Sequence, residues 1–315
     1  MRTIPTPPWA LLLAGGEGRR LRSLTRQIAG DPRPKQFCPI YDGETLLDRT
    51  RRRADLLTRL DHQVVVVTRA HEAYYAGLVR ELAPDRLVVQ PSNAGTAAGI
   101  VYPLLRIRQL GGNVPVAIFP SDHYVSDEAV FVGAVAHAVE VARLRPELVV
   151  LMGVEASGPE TEYGWIEPDP VPLALPGEPA FPIQRFWEKP SGRLAERLFE
   201  RGALWNSFVM VGWVDALLGL ARRNAPEIAA AFEPLERALG TAAEERVAQQ
   251  VYSTLVEPLG FSERILAPAT DGLVTVRVKG VEWSDWGHPQ RVMATMRRTG
   301  WQPAWLGRVE LAPAG

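Results

Sequence analysis

The sequence predicts an α/β protein built on a doubly wound, mainly parallel (mixed) sheet flanked by helices. Three observations lead there. Short, fully apolar β-rich runs alternate with helical patterns through the first half, as strands buried on both faces require. Polar and glycine-rich segments follow several of those runs directly, and the carboxyl ends of strands are where an open α/β sheet places its ligands. The chain has 315 residues, 46% of them hydrophobic, which suffices for a sizeable core.

Taken in order, Trp9 to Leu13 is the first strand; a glycine-rich loop follows it, and then an amphipathic stretch from Thr45 to Leu57. Val64 to Thr68 reads as a buried strand, His71 to Leu82 as a helix, Arg86 to Gln90 as a strand and Thr96 to Leu110 as a helix. Val114 to Phe119 is a strand, Glu128 to Arg143 a helix and Leu148 to Val154 a strand again. After Gly158 the strands are broken by Pro and Gly: Tyr163 to Glu167, Ile183 to Glu188, Phe208 to Trp213 and Leu273 to Val278. Helices are expected at Arg193 to Arg201, Val214 to Arg223 and Pro226 to Leu239, and the five prolines of Asp169 to Pro182 mark an exposed excursion. This reading gives one domain over residues 1–290, with halves at about 1–157 and 158–290, and a short extension over 291–315. No hexapeptide series that would build a β-helix is present.

Charge excludes some partners. The 35 basic and 36 acidic residues nearly cancel, so no global field favours nucleic acid or an anionic membrane, and any anionic ligand must be gripped locally. The longest apolar runs, such as Val64 to Val67, fall far below the ~20 residues that span a bilayer. Met1 to Pro8 lacks the apolar stretch of a signal peptide, and the single cysteine, Cys38, has no partner for an internal disulfide, so a cytoplasmic location is expected. Of the 35 basic residues only three are lysines, Lys35, Lys189 and Lys279, which singles out places where a compact point charge replaces a planar fork.

The first strand runs into Ala14-Gly15-Gly16-Glu17-Gly18-Arg19-Arg20-Leu21. Its glycines let backbone N–H groups approach a phosphate chain, and Arg19 and Arg20 can neutralise one. Neither the dinucleotide fingerprint nor a Walker A loop is present. Pro34-Lys35-Gln36-Phe37 holds the first rare lysine, and Glu188-Lys189-Pro190 the second. Gln90 to Ala97, at a strand end opening a helix, offers an amide and small residues to a base edge, or else is a capped loop. Asp122, after the Val116 to Phe119 strand, and Asp285, in Trp283-Ser284-Asp285-Trp286-Gly287, would together suit Mg²⁺ with phosphate as a further ligand. The five histidines lack metal-ligand spacing, and His123 reads as a structural neighbour of Asp122.

In this order the motifs AGGEGRRL, PKQF, QPSNAGTA, PSDH, TEYGWIE, EKP, WNS and WSDWG resemble the sugar-1-phosphate nucleotidyltransferases, most of all the mannose-1-phosphate guanylyltransferase branch. The resemblance covers Trp9 to Gly287. It implies a Rossmann-like fold of the nucleotidyltransferase type, Mg²⁺ as cofactor, and transfer of a nucleotidyl group from an NTP to a sugar 1-phosphate with release of pyrophosphate. GTP and mannose 1-phosphate are the favoured substrates. Carried across, it makes Arg20, Lys35 and Asp122 the catalytic residues and Asp122 and Asp285 the metal ligands. It makes Ala14, Gly15, Gly16, Gly18, Arg19, Gln90, Gly95 and Thr96 the nucleotide-binding residues, and Gly164, Glu188, Lys189 and Asn206 the sugar-phosphate side. Residues 1–157 become the nucleotide-binding half and 158–290 the sugar-phosphate half; the chain shows no cupin module.

The sequence also departs from the family pattern. Arg22-Ser23 stands where Trp-Pro is usual, and about four extra residues precede Lys35. Phe208 replaces the glycine after Asn-Ser, which should narrow the sugar pocket, and Glu162 replaces the glycine before Tyr163, a polar intrusion expected near the same place. Another hexose or heptose phosphate or another base therefore stays open, as do a non-catalytic sugar-nucleotide sensor and a glycosyltransferase with an Asp-x-Asp site. Against the last, Asp122 is followed by His123-Tyr124. Trp301 and Trp305 are expected either to pack on the domain or to form the contact of a homo-oligomer.

Overall fold

The computed structural model describes residues 7–41 and 43–309; the readings made for residues 1–6 and for the last six of the extension lie outside the described residues. Eleven strands are described: β1 (Trp9–Leu13), β2 (Gln63–Thr68), β3 (Leu87–Gln90), β4 (Pro115–Pro120), β5 (Tyr124–Val125), β6 (Val149–Glu155), β7 (Gly164–Pro168), β8 (Ala180–Glu188), β9 (Leu204–Trp213), β10 (Leu273–Val278) and β11 (Trp283–Ser284). Nine of them form one sheet in the order β3-β2-β1-β4-β9-β6-β10-β8-β7. The first four run parallel, and β9 lies antiparallel between β4 and β6, which joins them to the β6/β10 pair and the antiparallel β8 and β7. The sheet is thus mixed, with its parallel part first in sequence.

Burial on both faces explains the apolar runs. Gln63-Val64-Val65-Val66-Val67-Thr68 is buried at every position, and two cores lie on opposite faces of the sheet. One is closed by the helices Gly95–Gly111, Val214–Asn224, Pro226–Ala238 and Glu244–Thr254, the other by Leu46–Asp55, Glu128–Leu144 and Gly192–Glu200. Local signals start some of these helices. Thr45 accepts from the Asp48 N–H at 3.0 Å while the Thr45 N–H donates to Asp48 Oδ2 at 3.2 Å, a reciprocal cap, and Asp127 accepts from the Val130 N–H at 3.0 Å.

A third, smaller core joins distant parts of the chain. Leu21, Leu24, Cys38, Ile40 and Leu46 pack with Tyr124, Trp286, Val292, Met296 and Trp305. Between the glycine loop and Lys35 the chain forms the helix Arg22–Ala29, capped by Gly30 with φ +84°. Trp305 is buried and donates its indole N–H to the Ile40 carbonyl at 2.8 Å, and Trp301 stacks on Tyr41 with ring centroids 4.7 Å apart. Both tryptophans thus pack on the domain. Burial in apolar surroundings pushes the Cys38 thiol up to about 12, as suits a core residue.

Several elements differ from the sequence expectation. The helix expected over 71–82 is interrupted between Glu72–Tyr75 and Leu78–Glu81, where Gly77 weakens it. β8 begins at Ala180, inside the expected excursion, because Ala180, Phe181 and Pro182 pair with Val276, Thr275 and Val274 of β10. β9 begins at Leu204, so the Asn206-Ser207 pair lies within a strand. The helices Arg22–Ala29, Glu244–Thr254 and Pro289–Thr299 and the ribbon of β5 with β11 were not anticipated.

Candidate active site

The β5–β11 ribbon builds the centre of the site. Asp122 and His123 lead straight from β4 into β5, Asp285 directly follows β11, and Ser284 pairs with Tyr124. Two carboxylates 163 positions apart in the chain are thereby brought to the same strand ends. Lys35 links the two segments: its ammonium is 3.2 Å from Asp122 Oδ2 and donates to the backbone carbonyls of Asp285 and, at 3.4 Å, Trp286. The lysine is 7% exposed. An ammonium is buried only with such compensation.

Around this centre the cations are already matched. Asp285 Oδ1 accepts from Arg291 at 2.7 Å and from the Gly287 N–H at 2.8 Å, and its Oδ2 is 3.9 Å from Arg20. Burial pushes the Asp285 carboxyl up, but Lys35, His123 and Arg291 outweigh it and hold the group below its ordinary range. Arg20 reaches His288 Nε2 at 3.1 Å and Glu162 at 3.5 Å, and Glu162 is also held by His288 at 2.9 Å and Arg291 at 3.1 Å. Glu162 therefore turns to this basic cluster on the Arg20 side, a correction to its expected place by the sugar pocket, because three partners draw it there. Half of the Arg20 side chain is exposed, so its pairings are weak and exchangeable. His123 Nε2 is 3.4 Å from Asp122 Oδ1, and burial lowers the imidazole below its ordinary value.

Two cavities meet at Asp122. One, of about 240 Å³, is bounded by Gly18, Arg19, Arg20, Leu21, Lys35, Asp122 and Gly287. The other, of about 590 Å³, has Gly16, Gln36, Thr96, Asp122, Glu188, Lys189 and Phe208 on its wall. Gly164 pairs with Glu188 across β7 and β8, and a side chain at Gly164 would meet Glu188 Oε2 and Asn206, so these three sit together. Burial raises the Glu188 carboxyl; Lys189 opposes this and Glu263 adds to it. Two of the three lysines border the cavities, whereas Lys279 is exposed in the turn after β10.

Gln90 lies under the glycine loop and off the cavity wall. Its Oε1 accepts from Tyr252 at 2.9 Å, and a Cβ on Gly15 would come within 2.5 Å of its Nε2. Gly95 has φ +90°, and a Cβ there would fall 2.4 Å from the Leu259 carbonyl. Thr96 Oγ1 accepts from the Phe261 N–H at 2.8 Å. Ala14 and Gly16 are gripped from below: Gln36 donates to their carbonyls at 3.0 and 2.7 Å. Arg19 pairs outward with Glu17 at 2.5 Å. Sequence reasoning missed the supporting roles of Gln36 and Tyr252, the Gly260 to Glu263 wall, and Arg291. Gln36 was visible in its motif; the others sit in elements whose only signal is tertiary packing.

The sequence model of the Nucleotidyl transferase family matches residues 9–299. The chain belongs to that family. Among its relatives, the xanthan biosynthesis protein XanB of Xanthomonas campestris pv. campestris (strain B100) is 30% identical over 226 residues, 71% of this chain and 46% of the relative. The mannose-1-phosphate guanylyltransferase of Escherichia coli is 27% identical over 228 residues, 71% of this chain and 48% of the relative. The chain thus spans about half the length of the curated relatives it matches. The crystal structure of a mannose-1-phosphate geranyltransferase from Thermus thermophilus superposes with a TM-score of 0.78 at 28% identity, covering 95% of this chain and 81% of that one. A UDP-glucose pyrophosphorylase bound to UDP-glucose shares the fold, with a TM-score of 0.55 at 15% identity.

Among the described residues no cluster of three or more His, Cys, Asp or Glu side chains could hold a metal. The two aspartates nonetheless fit a hard divalent ion. Mg²⁺ takes one or two carboxylates and completes its shell with phosphate and water; Asp122 and Asp285 are hard oxygen donors of that kind, with Lys35 paired to the Asp122 carboxylate and to the backbone carbonyl of Asp285.

Proposed function

We propose that this chain transfers a nucleotidyl group from an NTP, GTP by preference, to a sugar 1-phosphate, mannose 1-phosphate by preference, and releases pyrophosphate. The convergence of Lys35, Asp122 and Asp285 where two cavities meet supports the reading most directly. The named activity of the Escherichia coli relative supports the choice of base and sugar.

The chemistry suits these residues. A sugar 1-phosphate is already an anionic nucleophile near neutral pH, so no general base is needed, and the difficulty lies in bringing two polyanions together. A phosphate oxygen of the sugar attacks the α-phosphorus in line; the new P–O bond forms as the bond to the β-phosphate breaks, and pyrophosphate leaves with the electron pair. Lys35 supplies positive charge at the reacting phosphates, and Arg20 exchanges Glu162 for the departing pyrophosphate. Asp122 and Asp285 would hold Mg²⁺, which when bound neutralises nucleotide phosphate charge. Glu188, Lys189 and Asn206 would orient the sugar phosphate, with Gly16, Gly18 and Thr96 on the nucleotide side. Among the described residues no helix is long and apolar enough to cross a membrane, and a cytoplasmic setting would supply the NTP.

The test is a matrix of NTPs against sugar 1-phosphates, including glucose and heptose phosphates, with Mg²⁺ and a pyrophosphate readout. Release above background from GTP with mannose 1-phosphate is expected; silence in every pair would leave a non-catalytic sensor as the better reading.

A further inference from the structure

Among the described residues three that are not glycine hold φ in the left-handed region, Lys189 at +47°, Phe208 at +59° and Trp286 at +43°. All three border the site: Lys189 and Phe208 line the large cavity, and Trp286 follows Asp285. A bulky side chain avoids that backbone region unless its surroundings impose it. At Phe208 they do. The pairing of β6 with β9 jumps from Leu151↔Met210 to Gly153↔Asn206, so β9 bulges between Asn206 and Met210. Ser207 pins the bulge by donating to the Met152 carbonyl at 2.8 Å and accepting from the Val209 N–H at 3.2 Å, while the Phe208 N–H donates to Asn206 Oδ1 at 3.2 Å. A bulge breaks the alternation of a strand and re-aims a side chain. Phe208 is left half-buried, on the cavity wall and against the core below it.

Phe208 shares the cavity wall with side chains that can hydrogen-bond, Thr96, Glu188, Lys189, Ser262 and Glu263. A sugar hydroxyl turned toward Phe208 would give up water and find no partner, whereas a C–H or methyl group there packs. We infer that Phe208 is a specificity-determining residue on the sugar side, favouring a sugar 1-phosphate that faces it with C–H, methylene or methyl over the congener with a hydroxyl. This rests on the nucleotidyl-transfer reading and narrows its substrate class. Apolar contacts of this kind discriminate by about 10- to 100-fold.

The experiment compares wild type, Phe208→Gly and Phe208→Ala on mannose and glucose 1-phosphates and their 2-, 3-, 4- and 6-deoxy forms. It measures kcat/KM for pyrophosphate release and, separately, calorimetric Kd for each sugar phosphate. Glycine accepts the left-handed φ, so Phe208→Gly keeps the bulge and should melt at or above Phe208→Ala. At one ring position wild type should prefer the deoxy form, and that preference should fall about tenfold in Phe208→Gly by both measures, with the other positions unmoved. Unchanged ratios in a folded Phe208→Gly would overturn the inference. A wild type silent with every pair would instead sink the transfer reading, and the Kd ratios would then decide the role of Phe208 alone.

Discussion

A buried ammonium facing a carboxylate is costly to assemble and costly to lose, which makes Lys35 the most exposed point of the proposed chemistry. Lys35→Ala should lower kcat by about 10²–10³-fold, the range seen when one preorganised donor is removed, with the near-UV spectrum retained; steady-state pyrophosphate release checks it, and a loss below tenfold would show that the charge is not used in the transition state. Gly95 matters for a different reason. Its φ of +90° and the Leu259 backbone that an added Cβ would run into leave no room for a methyl group, so Gly95→Ala should cost at least about 2 kcal/mol in denaturant unfolding. Both residues were readable as candidates from their motifs. The pairing of Lys35 with Asp122 and with the Asp285 carbonyl was not, because a backbone carbonyl 250 positions away in the chain leaves no local trace.

At the level of elements, the helix Glu244–Thr254 supports the glycine loop from outside, through Tyr252 on Gln90. Glu244 anchors that helix by accepting from Arg106, from Tyr102 at 2.8 Å and from the Gly240 N–H at 2.9 Å. Burial pushes its carboxyl up, yet these donors outweigh burial and hold it below its ordinary value. A depressed carboxyl contributes stability that is present above the unfolded-state value and lost as pH falls through the folded-state value. Glu244→Gln should therefore destabilise by about 1–3 kcal/mol at pH 7, and the gap to wild type should close below about pH 4; urea midpoints across pH decide it, and a constant gap would refute the charge argument. The strands of the parallel half were readable because double-sided burial writes continuous apolar runs. The helix Glu244–Thr254 and the two-residue strands were not, since a short polar helix or ribbon gains its stability from what it packs against.

Across the whole molecule, the third core couples the far end of the chain to the site. Trp305 is buried against the segment that carries Lys35, with its N–H on the Ile40 carbonyl. Trp305→Ala should cost about 3–5 kcal/mol and lower activity by loosening the Lys35 segment, although it touches neither cavity; thermal melts and limited proteolysis between residues 22 and 41 would report it, and a wild-type cleavage pattern would refute the coupling. The alternating α/β rhythm, the glycine loop, the rare lysines and the two aspartates could all be read from the order of residues, since each rests on local chemistry or on a short period of burial. It took the folded chain to bring Asp285 to Asp122 across the β5–β11 ribbon, to turn Glu162 toward Arg20, to set Gln90 beneath the loop and to drive Phe208 into the cavity on a bulge. Those outcomes depend on strand pairing between distant segments and on which charges find one another once water is excluded, and nothing within a few residues of any of these positions encodes that.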